Sequence, residues 1–276
     1  MNSASLLWTG EGFVPNATLP VTDRGVRYGM SLFETVRVRN HRAERVVTHL
    51  HSLRAACALA GFPDPATALS EAWAQLASEV LPALIPPAMA GGESGTARIY
   101  VTAGDGGPGA PAIEPRLFLL FEPRPLPAPG RPPFAVTAPR IAPPGYPRGL
   151  KSGAYWANAD SYARARAAGR DEALLANPDG TLRSACMANV FVRIDRRWLT
   201  PSADSGARAG TVRAWVLDQG FAGERTIDGA ELASADAAFL TNSWIGIEPI
   251  GQIGERPIMA SEEVIELAAA FDLVDE

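Results

Sequence analysis

Six prolines fall between Glu122 and Pro133, at Pro123, Pro125, Pro127, Pro129, Pro132 and Pro133. Proline fixes φ and donates no N–H, and it biases the residue before it toward extended backbone. Such a stretch suits an extended linker, so the chain reads as two parts. The expected organisation is an N-terminal subdomain over 1–121, a linker over 122–133 and a C-terminal subdomain over 134–276. A chain of 276 residues is long enough for each part to have its own core.

Periodicity and punctuation give the elements of each part. Leu6 to Val14 reads as two short strands about a glycine-containing turn. Asp23 to Gly29 reads as a loop, Leu32 to Val38 as a strand, and Val46-Val47 as a continuation of the sheet. A helix is expected from Thr48, its cap, to Ala60, ended by Gly61. A second is expected from Ala66 to Val80, with Asp64 or Pro65 marking its start. Leu81 to Gly95, rich in Pro, Ala and Gly, reads as a loop. Ala97 to Thr102 and Pro115 to Phe121 are strands about the run Ala103-Gly104-Asp105-Gly106-Gly107-Pro108-Gly109. That run opens no helix, so it is not a nucleotide phosphate loop.

In the second part a strand near Phe134 to Ala138 precedes Lys151, and an alanine- and arginine-rich helix leads to Gly169. A hairpin follows, running through Glu172 to Asn177, turning at Pro178-Asp179-Gly180 and returning through Ser184 to Phe191. Trp198 to Pro201 is a strand end, Gly210 to Gln219 a helix, Asp236 to Ser243 a strand, and Glu262 to Phe271 an amphipathic helix. Strands and helices mix without strict alternation, which predicts an α+β protein of two subdomains.

Composition narrows the function. The net charge of −5 gives no electrostatic reason to expect nucleic acid or an anionic membrane as partner. No apolar run approaches the ~20 residues of a membrane span. The N-terminus lacks a basic segment followed by an apolar core, so a cytoplasmic location is the default expectation. Cys57 and Cys186 have neither metal nor redox spacing and read as buried small apolar residues.

Of 25 basic residues a single one, Lys151, is lysine. A lone lysine followed by a helix and a hairpin with small and polar residues on its second strand resembles the class IV aminotransferases. These are the fold-type IV pyridoxal-phosphate (PLP) enzymes, which include branched-chain and D-amino-acid aminotransferases and 4-amino-4-deoxychorismate lyase. Asp23-Arg24-Gly25, then Gly29 and Phe33-Glu34-Thr35-Val36-Arg37, is similar to the group's N-terminal pattern. The glycine run after Ala103, Cys186-Met187-Ala188-Asn189 and Thr241-Asn242-Ser243-Trp244-Ile245-Gly246-Ile247-Glu248-Pro249-Ile250 look more like the lyase branch.

The resemblance implies the two-subdomain fold of D-amino-acid aminotransferase and aminodeoxychorismate lyase, a small-molecule amine substrate and a homodimer. It implies that Lys151 binds PLP through its amine and moves the proton on the substrate carbon, work that needs an amine whose pKa is lowered enough to attack and exchange. The cofactor phosphate would lie at the helix opening at Gly210, Thr211 and Val212, with Asn242 and Ser243 on a second phosphate turn and Asn189 on the hairpin. Tyr28, Arg27 and Arg98 are the substrate-side candidates.

Three positions depart from the family pattern. The phosphate-pairing arginine, three residues after His49, is Ser52. Arg54 lies about 200° round the helix from it, and Arg45 precedes the helix. The acid that holds the pyridine nitrogen protonated, five residues before Asn189, is Ser184, whose hydroxyl can donate to that nitrogen but cannot keep it charged. The arginine of many relatives before the glycine run is Ala103, leaving Arg98, Arg27 and Arg37 as substitutes. Three readings stay open: a PLP lyase like aminodeoxychorismate lyase, an aminotransferase of D- or branched-chain amino acids, and a PLP-free fold relative that binds a ligand or runs divergent chemistry. Transamination depends most on a charged ring, so Ser184 places the lyase first.

Overall fold

The computed structural model describes residues 4–15, 18–40, 42–83, 94–127, 133–141 and 149–273. They divide into two compact units. The first takes in Met1–Pro127 together with Lys151–Ala154, and the second Ala128–Leu150 with Tyr155–Val274. The chain is a mixed α+β protein, as expected.

In the first unit β1 (Ala4–Trp8), β2 (Phe13–Pro15), α1 (Arg24–Tyr28), β3 (Ser31–Arg39), β4 (Arg42–Ala43), α2 (Val46–Leu59), α3 (Pro65–Ala68), α4 (Ser70–Gln75), β5 (Gly95–Thr102) and β6 (Leu117–Pro123) follow in order. The strands form an antiparallel sheet ordered β2-β1-β6-β5-β3-β4. Glu34 on β3 meets His49 on α2, Oε2 to Nδ1 at 3.0 Å, both buried. Residues alternate across a strand, so Phe33 and Thr35 point to the face away from α2.

Several expectations fail here for local reasons. Val46-Val47 is the first turn of α2 rather than strand, because α2 must present His49, Leu50, Leu53 and Cys57 to the core, and that helical phase overrides β-branched preference. Arg45, in left-handed backbone at φ 53°, stands at its N-cap with no side-chain cap, so Thr48 is not the cap. Asp23 to Gly29 is not a loop, since the Asp23 carboxylate accepts from the Gly25 N–H and caps α1. The helix expected over 66–80 is broken into α3, α4 and a π-turn at Leu76–Val80. Most of the loop expected over 81–95, namely 84–93, lies outside the described residues.

The second unit contains β7 (Phe134–Ile141), α5 (Trp156–Ala167), β8 (Glu172–Ala176), β9 (Leu182–Ala185), β10 (Asn189–Ile194), β11 (Arg197–Pro201), α6 (Thr211–Asp218), β12 (Gly223–Arg225), β13 (Ala237–Asn242), β14 (Gly246–Ile253), β15 (Arg256–Pro257) and α7 (Glu262–Asp272). Its sheet runs β12-β11-β10-β13-β14-β7-β8-β9, with β15 on β14. β10 is apolar on both sides: Val190 and Val192 join a core with Leu174, Leu240 and Ile250, while Phe191 joins the opposite core of Phe239, α6 and α7. Ala173, Leu175 and Cys186 pack with Ala165 of α5 in a third cluster.

The proline-rich segment is shorter than its expected bounds, because Glu122 and Pro123 end β6; residues 128–132 lie outside the described residues. The expected placement of Lys151 with the C-terminal part is corrected. Phe33 N donates to Lys151 O at 2.9 Å, Ser152 bridges to Leu32, and Gly153 N donates to Ser31 O at 2.8 Å, so the lysine segment extends the first unit's sheet. Both cysteines are free and buried. Among the described residues no helix is long and apolar enough to cross a membrane.

Candidate functional site

Lys151 lies along the beginning of β3. Its Nζ stands 4.5 Å from the centroid of the Phe33 ring, on the face away from α2. Phe33 stacks on Tyr100 at 4.9 Å and Tyr100 on Phe118 at 4.5 Å, a three-ring ladder that follows the cross-strand register. A Cβ on Gly153 would come 2.2 Å from Ser31 Oγ, so the close approach of the lysine segment to β3 requires glycine there. Arg98, two residues before Tyr100, shares this face and is paired with Glu122.

Beside it, Asp23 and Arg24 organise the glycine run. Arg24 is fully buried, and its guanidinium donates to the carbonyls of Gly104 at 3.2 Å, Pro111 at 3.1 Å, Ala103 and Ala110. Asp23, also fully buried, accepts from Gly25 N, from Thr102 Oγ1 at 2.8 Å and from Arg116 Nη1 at 2.8 Å. Ala103 is buried, its N–H donated to Met30 O. The candidates Arg27 and Tyr28 are exposed on α1, the guanidinium 4.8 Å from the ring centroid.

Ser52 is half-buried on α2. Neither substitute is brought to it as a replacement. Arg54 is exposed and pairs through Nε with both oxygens of Asp64 at 2.9 Å, whose carboxyl it holds below the usual range. The pair borders an open depression of about 340 Å³ with His51, Ala55 and Ala58. That depression lies on the solvent face of α2, whereas Lys151 lies on the sheet face away from α2. Arg45 is buried beside Glu44, at 3.4 Å, a carboxylate that also accepts from Arg37 and Arg39 at 2.6 Å each.

In the second unit the hairpin candidates cluster about the start of α6. Asn189 Nδ2 donates to Arg208 O at 2.8 Å, and a Cβ on Gly210 would come 2.3 Å from Asn189 Oδ1. Gly210 therefore lets the chain pass Asn189 and enter α6 without a capping side chain. The N–H groups of Thr211 and Val212 belong to the first turn, which lacks intrahelical partners. Thr211 Oγ1 is 3.3 Å from Ser243 Oγ, and Asn242 Oδ1 accepts from Trp244 N at 2.9 Å and Ile245 N at 2.8 Å. Thr241 pairs with Asn189 across the sheet, so its side chain shares that face; its Oγ1 is buried with no hydrogen-bond partner among the described residues. Val212 turns its side chain into the core and contributes backbone alone.

These are uncharged donors about a helix N-terminus, a set suited to phosphate oxygens. Ser184 is half-buried opposite Leu175, on the face that packs against α5. It offers a hydroxyl and no charge, which does not fit a protonated pyridine nitrogen.

Two features have structural roles that the sequence did not assign. One is the Asp23–Arg24 node. The other is Glu172, buried at the head of β8, whose carboxylate accepts from Ala173 N at 2.9 Å, Cys186 N at 3.2 Å and Met187 N at 3.1 Å. Burial pushes its pKa up to about 7 against the pull of those backbone bonds. The signal was present: an acid heading a strand in which every other residue is apolar has to be satisfied inside.

Comparison with known proteins gives a concordant result. The family model described as amino-transferase class IV matches residues 31–253. A probable branched-chain-amino-acid aminotransferase from Synechocystis is 34% identical over 122 residues, 40% of this chain and 40% of that protein. A 4-amino-4-deoxychorismate lyase from Pseudomonas aeruginosa is 26% identical with a TM-score of 0.77, over 95% of this chain and 97% of the other. A fold IV transaminase from Curtobacterium pusillum is 24% identical with a TM-score of 0.77, over 99% and 98%.

Proposed function

The chain belongs to the class IV aminotransferase family, a family of PLP-dependent enzymes, and from that premise we infer that it is a PLP-dependent lyase acting as aminodeoxychorismate lyase does. The observation that carries this reading is Ser184, a neutral residue where a ring-protonating acid would serve transamination. When bound, PLP supplies an electron sink for the bond being broken at the aminated carbon. Loss of pyruvate from a ring that becomes 4-aminobenzoate has its own driving force, aromatisation, and depends less on a charged pyridine.

Within this reading Lys151 would hold the cofactor through Nζ, and once the substrate amine takes its place the freed Nζ would take the proton from the aminated ring carbon and return one as pyruvate leaves. The first turn of α6 with Thr211, Ser243 and Asn242 receives the phosphate, and Asn189 fixes the approach to that turn. The phosphate contact is made by neutral groups, because Ser52 brings no charge and Arg54 and Arg45 are bonded to Asp64 and Glu44. Arg98, beside the aromatic ladder, is the carboxylate anchor, exchanging Glu122 for the substrate; Tyr28 and Arg27 border the entry.

Release of pyruvate from aminodeoxychorismate by purified protein with added PLP tests the lyase. Lys151→Ala is expected to lower that rate by at least about 10²–10⁴-fold, the usual worth of a positioned acid–base group. Protein that stays colourless with PLP would sink every PLP reading and leave the PLP-free relative. A second reading, an aminotransferase of D- or branched-chain amino acids, draws on the 34% identity to the Synechocystis protein. Loss of yellow colour on adding leucine or D-alanine, without pyruvate release from aminodeoxychorismate, would favour it.

A further inference from the structure

The turn between β9 and β10, Cys186 to Ala188, joins the strand bearing Ser184 to the strand bearing Asn189. It is bonded on both of its edges. Its N–H groups go to Glu172: Cys186 N to Oε1 at 3.2 Å and Met187 N to Oε2 at 3.1 Å. Its carbonyls go elsewhere. Cys186 O accepts from Tyr155 Oη at 2.9 Å and from Asn158 Nδ2 on α5 at 2.6 Å. Met187 O accepts from Asn242 Nδ2 at 3.1 Å.

Asn242 then uses its other amide atom, Oδ1, to hold Trp244 N and Ile245 N, closing the β13–β14 turn. That turn carries Ser243, whose hydroxyl lies 3.3 Å from Thr211 Oγ1 at the start of α6. A series of hydrogen bonds thus runs from the Glu172 carboxylate, through the Cys186–Met187 turn, to the Asn242 amide, and the turn that Asn242 closes carries Ser243 to Thr211 at the helix N-terminus.

We propose that Glu172 is a positioning residue: by accepting the Cys186 and Met187 N–H groups it fixes the turn that orients Asn242, and so sets the spacing of the donors at the start of α6. A buried carboxylate is an acceptor at both oxygens, which a pair of adjacent backbone N–H groups requires. The Cys186 thiol, raised to about 12 by burial and by Glu172, stays protonated and donates to the same carboxylate. Arg140 on β7 is the charge acting on that thiol from the neighbouring strand. The last link, to a bound phosphate, rests on the cofactor reading above. The links as far as Asn242 do not.

Amide hydrogen exchange in the full, ligand-free chain tests those links. In Glu172→Gln, exchange at Cys186 and Met187, and two steps away at Trp244 and Ile245, is expected to quicken by about tenfold, with Phe191 and Phe239 in the core unchanged. Unchanged exchange at Trp244 and Ile245 would overturn the proposal, whatever happens at Cys186. If that variant does not fold, Glu172→Asp serves: its shorter carboxylate should quicken exchange at the same four amides, and unchanged exchange at Trp244 and Ile245 would overturn the proposal.

PLP titration followed by its visible absorbance reads the last link. Glu172→Gln should weaken PLP by about tenfold, and its effect should be less than additive with that of Asn242→Ala, because the two act in series. Equal PLP affinity in wild type and Glu172→Gln would remove Glu172 from the phosphate contact. A wild type that binds no PLP would instead sink the cofactor reading, with the exchange result deciding the rest.

Discussion

Ser184 is the residue at which chemistry and family pattern part. Ser184 is half-buried opposite Leu175, and its hydroxyl brings no charge to that face. In the proposed reading it changes what charge can be held on the cofactor's ring. Ser184→Glu is therefore expected to quicken the loss of PLP colour on adding leucine or D-alanine by at least about tenfold, about 1.4 kcal/mol in the barrier. The check is a stopped-flow record of that colour in wild type and variant; equal rates would mean that residue 184 does not meet the ring nitrogen. Lys151 was legible because it is the only lysine in the chain. Glu172 was not, because two of its partners are backbone N–H groups 14 and 15 residues along the chain, which no spacing rule announces.

Among elements, the segment around α1 is held by two opposite charges buried at its N-terminus. Arg24 satisfies two carbonyls at the start of the glycine run and two just beyond it, and Asp23 satisfies the helix cap, Thr102 and Arg116. Arg24→Ala would strand buried carbonyls without donors, and a loss of at least about 3 kcal/mol is expected from the usual worth of charge-assisted bonds. Arg24→Lys should not rescue it, because an ammonium cannot span four carbonyls with the planar fork of a guanidinium. Urea unfolding of both variants measures this, and midpoints at the wild-type value would refute it. The motif Asp23-Arg24-Gly25 was visible in the sequence, while its work as a structural clamp was not.

For the whole molecule, Glu172 links stability to pH. Its folded pKa, about 7, lies above the ordinary 4.5, so the native chain holds a proton that the unfolded chain has released between those values. The stabilisation is fully present below about pH 4.5 and is lost as pH rises through about 7. Its full extent is on the order of 3 kcal/mol. The turn and the fold thus want different states: the charged carboxylate binds the turn better, while burial disfavours the charge. Unfolding free energy measured from pH 4.5 to 8 should fall by that order in wild type and be flatter in Glu172→Gln; parallel profiles would remove Glu172 as the source.

The sequence by itself determined the α+β class, most strands and the long helices, because apolar periodicity and glycine or proline punctuation are local signals. It also singled out Lys151, Asn189, Gly210, Thr211, Asn242 and Ser243. Tertiary structure alone decided that the lysine segment pairs with β3 and belongs to the first unit, since strand pairing joins residues more than a hundred positions apart. It also decided that Val46 and Val47 are helical, that Arg54 and Arg45 are bonded to Asp64 and Glu44, and that an inward glutamate ties the hairpin to Asn242. Each depends on which groups meet after folding, and a buried polar group takes whatever partner the packing brings to it.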